Sequence, residues 1–373
     1  MPSSPLHGLS AIGQSPWVDN LSRESIRGGH LQSLIDDDAI VGATSNPTIF
    51  EKAMSQGEAY DEQLREVLER TQDTREVFWA LAEQDIREAC DVFAPIYEAG
   101  SGRDGYVSLE VDPALAYDTL ATFQLAKRLH DEVDRPNLLV KIPATKPGLA
   151  SIEDSIAKGI SINVTLIFSL ARYAEVAESY VRGLERLVAE GGDPRGVASV
   201  ASFFVSRIDT EADRRLDEVE HPELKGKLAI ANARLAYQHY KQVFAGERWE
   251  FLSGKGATPQ RVLWASTSTK NPDYPDTMYV EELIGPDTVD TMPEETIAAY
   301  QDHGRPQSRL EQRLDEAREL FVELERAGVD YVDVTNTLER EGVEKFAASF
   351  EELLQGLRSK QQSLTPASPA AAA

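Results

Sequence analysis

The sequence predicts an α/β protein that folds as a (β/α)8 barrel, also called a TIM barrel, with helical insertions and C-terminal helices. Three observations support this fold. Short apolar segments alternate with amphipathic ones, eight such units lie between residues 16 and 293, and polar residues recur at every second position of several apolar segments. Strands that alternate with helices pair in parallel through right-handed crossovers, and eight such units close a barrel. An open doubly wound sheet is the competing architecture.

Eight segments have the composition of buried strands. Each is short, contains aliphatic or β-branched residues and is bounded by turn-forming or helical segments. The predicted strands are PWVDN (16–20), AIVGATSN (39–46), GYVSLEVD (105–112), NLLVKIPA (137–144), SINVTLIF (161–168), VASVASFFV (197–205), RVLWAST (261–267) and DTVDTMP (287–293).

The segments between and after these strands have helical periodicity. Long insertions follow the second and sixth strands, and Pro47 and Pro113 each suit the first turn of a helix directly after a strand. The predicted helices are 58–69 and 73–97 in the first insertion, 210–219 and 225–244 in the second, and 306–327 and 339–357 at the C-terminal end.

The chain is predicted to form one barrel domain over residues 16–360. Residues 1–15 and 361–373 are rich in Pro, Ser and Ala, a composition that cannot bury enough apolar surface to order a chain. Both ends are therefore predicted to be disordered.

The charge of the chain excludes several partners. It carries 63 acidic and 38 basic residues, a formal net charge of −25. Such a charge repels nucleic acids and anionic membrane surfaces. It would also repel a phosphorylated ligand, so a site for such a ligand needs a local cluster of cations.

Cysteine and histidine usage excludes other kinds of site. Cys90 is the single cysteine, which rules out an intramolecular disulfide and a thiolate metal cluster, and the six histidines have no HxxxH or HxH spacing. No apolar run approaches the roughly 20 residues that span a bilayer, and the N-terminal segment lacks the pattern of a signal peptide. The expected location is the cytoplasm.

One lysine lies within an apolar strand. In NLLVKIPAT (137–145), Lys141 stands among four aliphatic residues. A fully buried ammonium is costly to desolvate, so such a lysine either reaches solvent along its stem or becomes a neutral amine. The first alternative is an edge-strand lysine, and the second is a nucleophile.

Polar residues share one face of most predicted strands. Because strand side chains alternate between faces, aliphatic residues are expected to face the helices and polar residues the barrel interior. Eight candidate site residues follow: Asp19, Asn46, Glu110, Lys141, Asn163, Thr165, Ser202 and Ser266. A lumen is normally filled by aliphatic side chains, and this many buried polar groups are costly unless they bind one another and a ligand.

Each of these residues also has a purely structural interpretation. Asp19 and Asn46 could cap helices, and Glu110 could pair with an arginine. Thr165 could be an ordinary strand residue and Ser202 a packed small residue. The set as a whole favours a ligand site.

Six motifs, in order along the chain, resemble those of the transaldolase family, and the longer bacterial form most of all. They are TSNPTIFEKA (44–53), VSLEVDP (107–113), LLVKIPAT (138–145), GISINVTLIFS (159–169), SFFVSRID (202–209) and WASTSTKNP (264–272). The termini and the helical insertions have no distinctive match. The resemblance implies an enzyme that needs neither a metal nor a cofactor.

The resemblance implies the transfer of a dihydroxyacetone unit from sedoheptulose 7-phosphate to glyceraldehyde 3-phosphate, which gives erythrose 4-phosphate and fructose 6-phosphate in the non-oxidative pentose phosphate pathway. By resemblance Lys141 forms the Schiff base with the donor. Asp19 matches the residue that takes the proton from the C4 hydroxyl. Glu110 and Thr165 match the pair that acts through a water on the carbinolamine.

Binding roles also follow from the resemblance. The residues that match substrate-binding positions are Thr44, Asn46, Asn163, Ser202 and Ser266. Arg207 matches the phosphate-binding arginine, although it could instead pair with Asp209 or Glu211. Lys270 stands near the place where shorter relatives have a second arginine, at a different spacing.

Two other functions remain as alternatives. An aldolase on the same scaffold would release free dihydroxyacetone, but Glu110 in place of a tyrosine favours the transferase by resemblance. A non-catalytic sugar-phosphate binding protein would not need a lysine, an aspartate and a glutamate on three strands. The expected partners are sugar phosphates rather than nucleic acid or membranes, and a monomer and a homodimer are both compatible with the sequence.

Overall fold

Eight parallel strands form a closed barrel in the computed structural model of the protein, which describes residues 4–55 and 58–364. The strands are β1 (Gln14–Val18), β2 (Gly42–Thr44), β3 (Tyr106–Glu110), β4 (Leu138–Pro143), β5 (Ile162–Ile167), β6 (Ser199–Phe204), β7 (Arg261–Ala265) and β8 (Thr288–Met292). Each strand pairs with the next one in the chain, and β8 pairs with β1. The predicted (β/α)8 barrel is confirmed, and each of the eight predicted segments overlaps one strand.

Helices connect the strands and follow the last one. They are α1 (Leu6–Ile12), α2 (Arg23–Arg27), α3 (His30–Asp38), α4 (Pro47–Ser55), α5 (Asp61–Leu68), α6 (Thr74–Ala99), α7 (Thr119–Val133), α8 (Lys146–Ala157), α9 (Leu170–Ala189), α10 (Ser206–Glu218), α11 (Leu228–Val243), α12 (Glu247–Ser253), α13 (Met278–Glu282), α14 (Glu294–His303), α15 (Leu314–Arg326) and α16 (Tyr331–Leu364). Pro47 begins α4, and Pro113 begins a short 3₁₀ turn after β3, as predicted.

Residues 1–15 were predicted to be disordered, and this prediction is wrong for the residues of this segment that form a helix and the start of a strand. Leu6–Ile12 form a helix, and β1 begins at Gln14. Leu6 and Leu9 are fully buried, so one apolar face of this short helix is covered by the barrel. Residues 1–3 lie outside the described residues.

The C-terminal boundaries also differ from the prediction. The last helix continues to Leu364, so the predicted tail at 361–373 is helical over its first four positions, and residues 365–373 lie outside the described residues. This helix begins at Tyr331 rather than at residue 339, because the Asp330 carboxylate accepts hydrogen bonds from the N–H groups of Val332 and Asp333. The helix before it begins at Leu314 rather than at residue 306.

The apolar core lies between the barrel and its helices. Phe203 of β6 packs edge-on against Tyr173 of α9, with 6.1 Å between ring centroids, and against Trp264 of β7 at 6.2 Å. The alternate residues of the same strands point into the barrel, where the polar side chains meet. In the described residues no helix is both long and apolar enough to cross a membrane.

Candidate active site

Lys141 lies inside the barrel, near the carboxyl end of β4. Its neighbours in register are Glu110 on β3 and Asn163 on β5. The residue is only 6% exposed, and its Nζ donates a hydrogen bond to the carbonyl oxygen of Ser45, 3.2 Å away, across the end of β2. The interpretation as an edge-strand or solvent-reaching lysine is therefore wrong.

Glu110 is the charged partner of this lysine. Its Oε2 lies 3.3 Å from Lys141 Nζ, and both side chains are buried. Burial raises the pKa of Glu110, and the nearby Lys141 charge opposes that effect only in part. A carboxyl group in this environment can hold or release a proton close to the amine. The structural interpretation of Glu110 expected an arginine partner, and the partner in the structure is a lysine.

A chain of hydrogen bonds crosses the lumen beside the lysine. Asn163 on β5 donates to the hydroxyl of Ser108 on β3, 3.0 Å away, and accepts from the hydroxyl of Ser202 on β6 at 2.7 Å. Asn163 is fully buried, and its side chain is held from both sides. Ser202 is thus a member of this network as well as a small buried residue.

Thr165 lies above Asn163 on the same strand. It is fully buried, and its Oγ1 has no hydrogen-bond partner among the described residues. The following residue, Leu166, has φ of +60°, and the pairing of β5 with β6 changes register here. A left-handed leucine is strained, and such backbone tends to occur where function requires a particular side-chain direction.

Asp19 follows β1 and accepts a hydrogen bond from one hydroxyl, that of Thr44. Thr44 Oγ1 donates to Asp19 Oδ1 at 2.7 Å and also lies 2.7 Å from Thr291 Oγ1 on β8. Asp19 does not cap the next helix, which is capped by Ser22. Asn46 does serve as a cap, since its Oδ1 accepts from the N–H of Ile49, and it lines the cavity as well.

These side chains surround one cavity of about 310 Å³ at the carboxyl end of the barrel. The lining includes nine of the eleven predicted site residues: Asp19, Thr44, Asn46, Lys141, Thr165, Ser202, Arg207, Ser266 and Lys270. Glu110 and Asn163 do not form part of its wall; both lie next to Lys141 in the strand register. The structure therefore brings the predicted residues to one place.

Arg207, in the first turn of α10, is one of two cations in the cavity wall that do not lie on a strand. Within the described residues its side chain forms no hydrogen bond or ion pair, and its guanidinium lies 5.1 Å from the ring centroid of Phe204. The predicted alternatives fail, because Asp209 accepts from Ala229 N–H and Tyr279, and Glu211 pairs with two other arginines of its helix. Burial lowers the pKa of Arg207, as expected for a cation that is not paired.

Lys270 supplies the second cation. It is exposed, and its Nζ donates to the Ser268 hydroxyl at 2.7 Å. Ser266, which also lines the cavity, has φ of +59° and lies 2.9 Å from the Ser206 hydroxyl at the start of α10. With Lys141, the cavity has three cations in a chain of net charge −25.

Comparisons with known proteins give the family of the chain. The sequence model of the Transaldolase/Fructose-6-phosphate aldolase family matches residues 16–357. The chain belongs to this family. It is 52% identical over 360 residues to a transaldolase of Parafrankia sp. (strain EAN1pec), covering 95% of this chain and 98% of the relative. It is 53% identical over 358 residues to a transaldolase of Saccharopolyspora erythraea, covering 95% and 97%.

Several residues in or next to the cavity wall were not among those predicted from the sequence. Thr291 lies on β8 and lines the cavity, and the alternation of strand side chains is the signal that could have found it. Phe346 comes from the C-terminal helix α16, whose position over the barrel has no signal in the sequence. Thr267 stands between two lining serines and donates to the buried carboxylate of Asp290 at 2.9 Å, which fixes the segment after β7.

Proposed function

We propose that the protein is a transaldolase that transfers a dihydroxyacetone unit from sedoheptulose 7-phosphate to glyceraldehyde 3-phosphate. The products are erythrose 4-phosphate and fructose 6-phosphate. The observation that carries this proposal is the position of Lys141. Its buried amine is in the wall of a cavity that also contains an unpaired arginine, and a buried carboxyl group lies beside it. A ketose phosphate needs both an amine for its carbonyl and a cation for its phosphate.

The first chemical step is the attack of the neutral Lys141 amine on the C2 carbonyl of the donor. The carbinolamine that forms loses water and becomes an imine, which is a better electron acceptor than the ketone. Glu110 and Thr165 act on this water: Glu110 lies beside the amine, and the Thr165 hydroxyl is buried without a partner in the described chain. Either group can pass a proton through one water molecule.

The second step breaks the bond between C3 and C4. Asp19 takes the proton of the C4 hydroxyl, the C4 aldehyde leaves, and the electron pair of the broken bond is delocalised into the protonated imine as an enamine. The hydrogen bond from Thr44 orients the Asp19 carboxylate. A fixed orientation suits a base that takes its proton from one hydroxyl of the bound donor. The three-carbon unit then stays on Lys141 until an acceptor aldehyde arrives.

Substrate hydroxyls and the phosphate bind around these groups. Thr44, Asn46 and Ser202 line the cavity and offer hydrogen bonds to the donor, and Asn163 supports Ser202 from below. Arg207 binds the phosphate, with Ser266 and Lys270 beside it. A charge-assisted contact of this kind is stronger than a neutral hydrogen bond.

A coupled assay tests this function. The unmodified protein is incubated with sedoheptulose 7-phosphate and glyceraldehyde 3-phosphate, and both fructose 6-phosphate and free dihydroxyacetone are measured. Transfer should greatly exceed release. If fructose 6-phosphate instead yields free dihydroxyacetone and glyceraldehyde 3-phosphate as the main reaction, the protein is an aldolase. If no three-carbon adduct is trapped by borohydride, the Schiff-base mechanism is wrong.

Its family and the proposed substrates support a role of the protein in carbohydrate metabolism. The interconverted seven-, six-, four- and three-carbon sugar phosphates are those of the non-oxidative pentose phosphate pathway. We place the reaction in the cytoplasm on the same grounds, with sugar phosphates as partners.

A further inference from the structure

Helix α16 extends across the mouth of the barrel. At one end Asp333 pairs with Arg215 of α10 at 2.6 Å, and Glu339 pairs with Arg172 of α9 at 3.2 Å. Towards the other end Lys360 pairs with Asp61 of α5 at 2.8 Å. These helices follow β5, β6 and β2, on different sides of the barrel. A helix of 34 residues is about 50 Å long, which is sufficient for this span.

Apolar packing also holds this helix in place. Leu338, Leu353 and Leu357 are buried, and Phe350 packs edge-on against Phe78 of α6 with 5.1 Å between centroids. The helix therefore has a fixed position over the carboxyl ends of the strands.

Gly342 allows the close approach of the helix to the barrel. A Cβ at this position would lie 3.0 Å from Leu166 Cδ2 and 3.5 Å from the ring of Phe168, both at the end of β5. Residue 346 is one turn later, on the same face of the helix. The close contact at Gly342 thus directs the side chain of Phe346 into the site.

Phe346 lies next to Lys141 and Arg207, two of the three basic residues of the cavity. Its ring centroid is 5.7 Å from Lys141 Nζ and 5.9 Å from Arg207 Cζ. Among the described residues it is the contribution of α16 to the wall of the cavity. The aromatic face attracts a cation, and the ring has no group that holds a water molecule.

We propose that Phe346 determines whether the three-carbon unit on Lys141 is transferred to an acceptor or lost to water. This inference rests on the proposed function. In transfer, the enamine carbon forms a bond with the acceptor aldehyde. In loss, the same carbon takes a proton, water adds to the resulting iminium carbon, and the C–N bond breaks to give free dihydroxyacetone and the protonated amine of Lys141.

The ring opposes the second route because it fills space beside the amine. Most other side chains around Lys141 in the cavity are polar, such as Asp19, Thr44 and Ser202, and can hold water. Removing the ring opens a volume next to the imine that is large enough for water. Exclusion of water from a reactive intermediate is a recognised function of such walls.

The experiment compares Phe346→Ala and Phe346→Leu with the unmodified protein. The rate of dihydroxyacetone release and the rate of transfer are measured in the same reaction, and their ratio is the result. The ratio of release to transfer should rise by at least about tenfold in Phe346→Ala. This corresponds to a change of about 1.4 kcal/mol in the difference between the activation free energies of the two routes. The rise should be smaller in Phe346→Leu. Borohydride should still trap the sugar on Lys141 in both variants.

Leu353→Ala is the matched control on the same helix. It removes packing from a buried side chain of α16 that does not line the cavity, so it costs stability without removing any atom of the wall. Its ratio should stay near that of the unmodified protein. An equal rise in Leu353→Ala, or an unchanged ratio in Phe346→Ala, would overturn the inference and leave the proposed function intact. Absence of transfer by the unmodified protein would overturn both.

Discussion

Lys141 and Glu110 are direct neighbours on adjacent strands, and the 3.3 Å between Nζ and Oε2 is the shortest contact between the amine and a carboxylate in the described chain. Both groups are buried, and their desolvation is costly unless the two charges stabilise each other. A proton can move within this pair without a change in its net charge. The pair therefore allows an amine to lose its proton inside an apolar strand.

The first prediction concerns Lys141. Lys141→Ala should abolish turnover and borohydride trapping, because the imine is the electron acceptor of the reaction. Lys141→Arg should be equally inactive, since a guanidinium does not lose its proton to attack a carbonyl. Mass measurement of the reduced protein gives the result.

Lys158→Ala is the control for this lysine. Lys158 is exposed and pairs with Glu190, so its removal should leave turnover and trapping unchanged. Thermal unfolding should report a folded protein for Lys141→Ala, because Glu110 can bind a proton when its partner is absent. Trapping that persists at another lysine in Lys141→Ala would contradict the assignment.

The second prediction separates the two carboxylates. Asp19→Asn keeps an acceptor for Thr44 but removes the base, so it should form the imine with fructose 6-phosphate and cleave it slowly. The trapped adduct should then be the intact six-carbon sugar. Glu110→Gln should slow adduct formation itself, by a factor on the order of 10² to 10⁴, as expected for a general acid or base.

The mass added to the peptide that contains Lys141, after brief exposure and reduction, distinguishes these outcomes. Each of the two variants serves as the control of the other. A three-carbon adduct formed at the normal rate by Asp19→Asn would show that another group takes the C4 proton. Normal trapping by Glu110→Gln would remove Glu110 from the dehydration step.

The strands and their inward faces could be predicted from the sequence because both depend on local patterns. The alternation in VSLEVDP places Glu110 in the lumen, and the neighbouring strand places Lys141 beside it. Asn46 was predicted as a site residue, with helix capping as the alternative; its side chain caps α4 and also lines the cavity. A period of two residues needs no knowledge of the rest of the fold.

Features that depend on distant packing could not be predicted in this way. Phe346 has the helical spacing of an ordinary core residue, and only the position of α16 over the barrel brings it to Lys141. Leu6 and Leu9 are two leucines in a segment rich in Pro, Ser and Gly, and the barrel that covers them supplies the stability of their helix.

The third prediction concerns phosphate binding. Arg207→Ala should raise the KM for phosphorylated substrates by about one to two decades, because a charge-assisted contact contributes roughly 1.5 to 3 kcal/mol. Slow reactions of unphosphorylated analogues should change much less. Lys270→Ala should have a smaller effect, since Lys270 is exposed.

Arg215→Ala is the matched control on the same helix. Arg215 already pairs with Glu211 and Asp333, so it has no free charge for a ligand, and its removal should leave the preference for phosphorylated substrates unchanged. Equal losses for phosphorylated and unphosphorylated substrates in Arg207→Ala would mean that Arg207 is structural. Steady-state kinetics with both substrate types provide the measurement.

The fourth prediction concerns Asp290, a fully buried carboxyl group behind the segment that carries Ser266 and Lys270. Burial raises its pKa to about 7, while the Thr267 hydroxyl is its hydrogen-bond donor in the described chain. In the unfolded chain the pKa of an aspartate is about 3.9. The stabilising effect of the bound proton is therefore complete below about pH 4 and is lost as the pH rises to about 7.

Asp290→Asn carries no charge at any pH and keeps an oxygen that accepts from Thr267. The free energy of unfolding of this variant, relative to the unmodified protein, should therefore rise by about 2 to 3 kcal/mol between pH 5 and pH 8. Denaturant titrations at the two pH values measure this change. Asp315→Asn removes an exposed carboxylate and should give the same relative stability at both. A constant difference for Asp290→Asn would show that the carboxyl group is ionised in the folded protein throughout this range, so that its burial would have to be compensated by a partner other than Thr267.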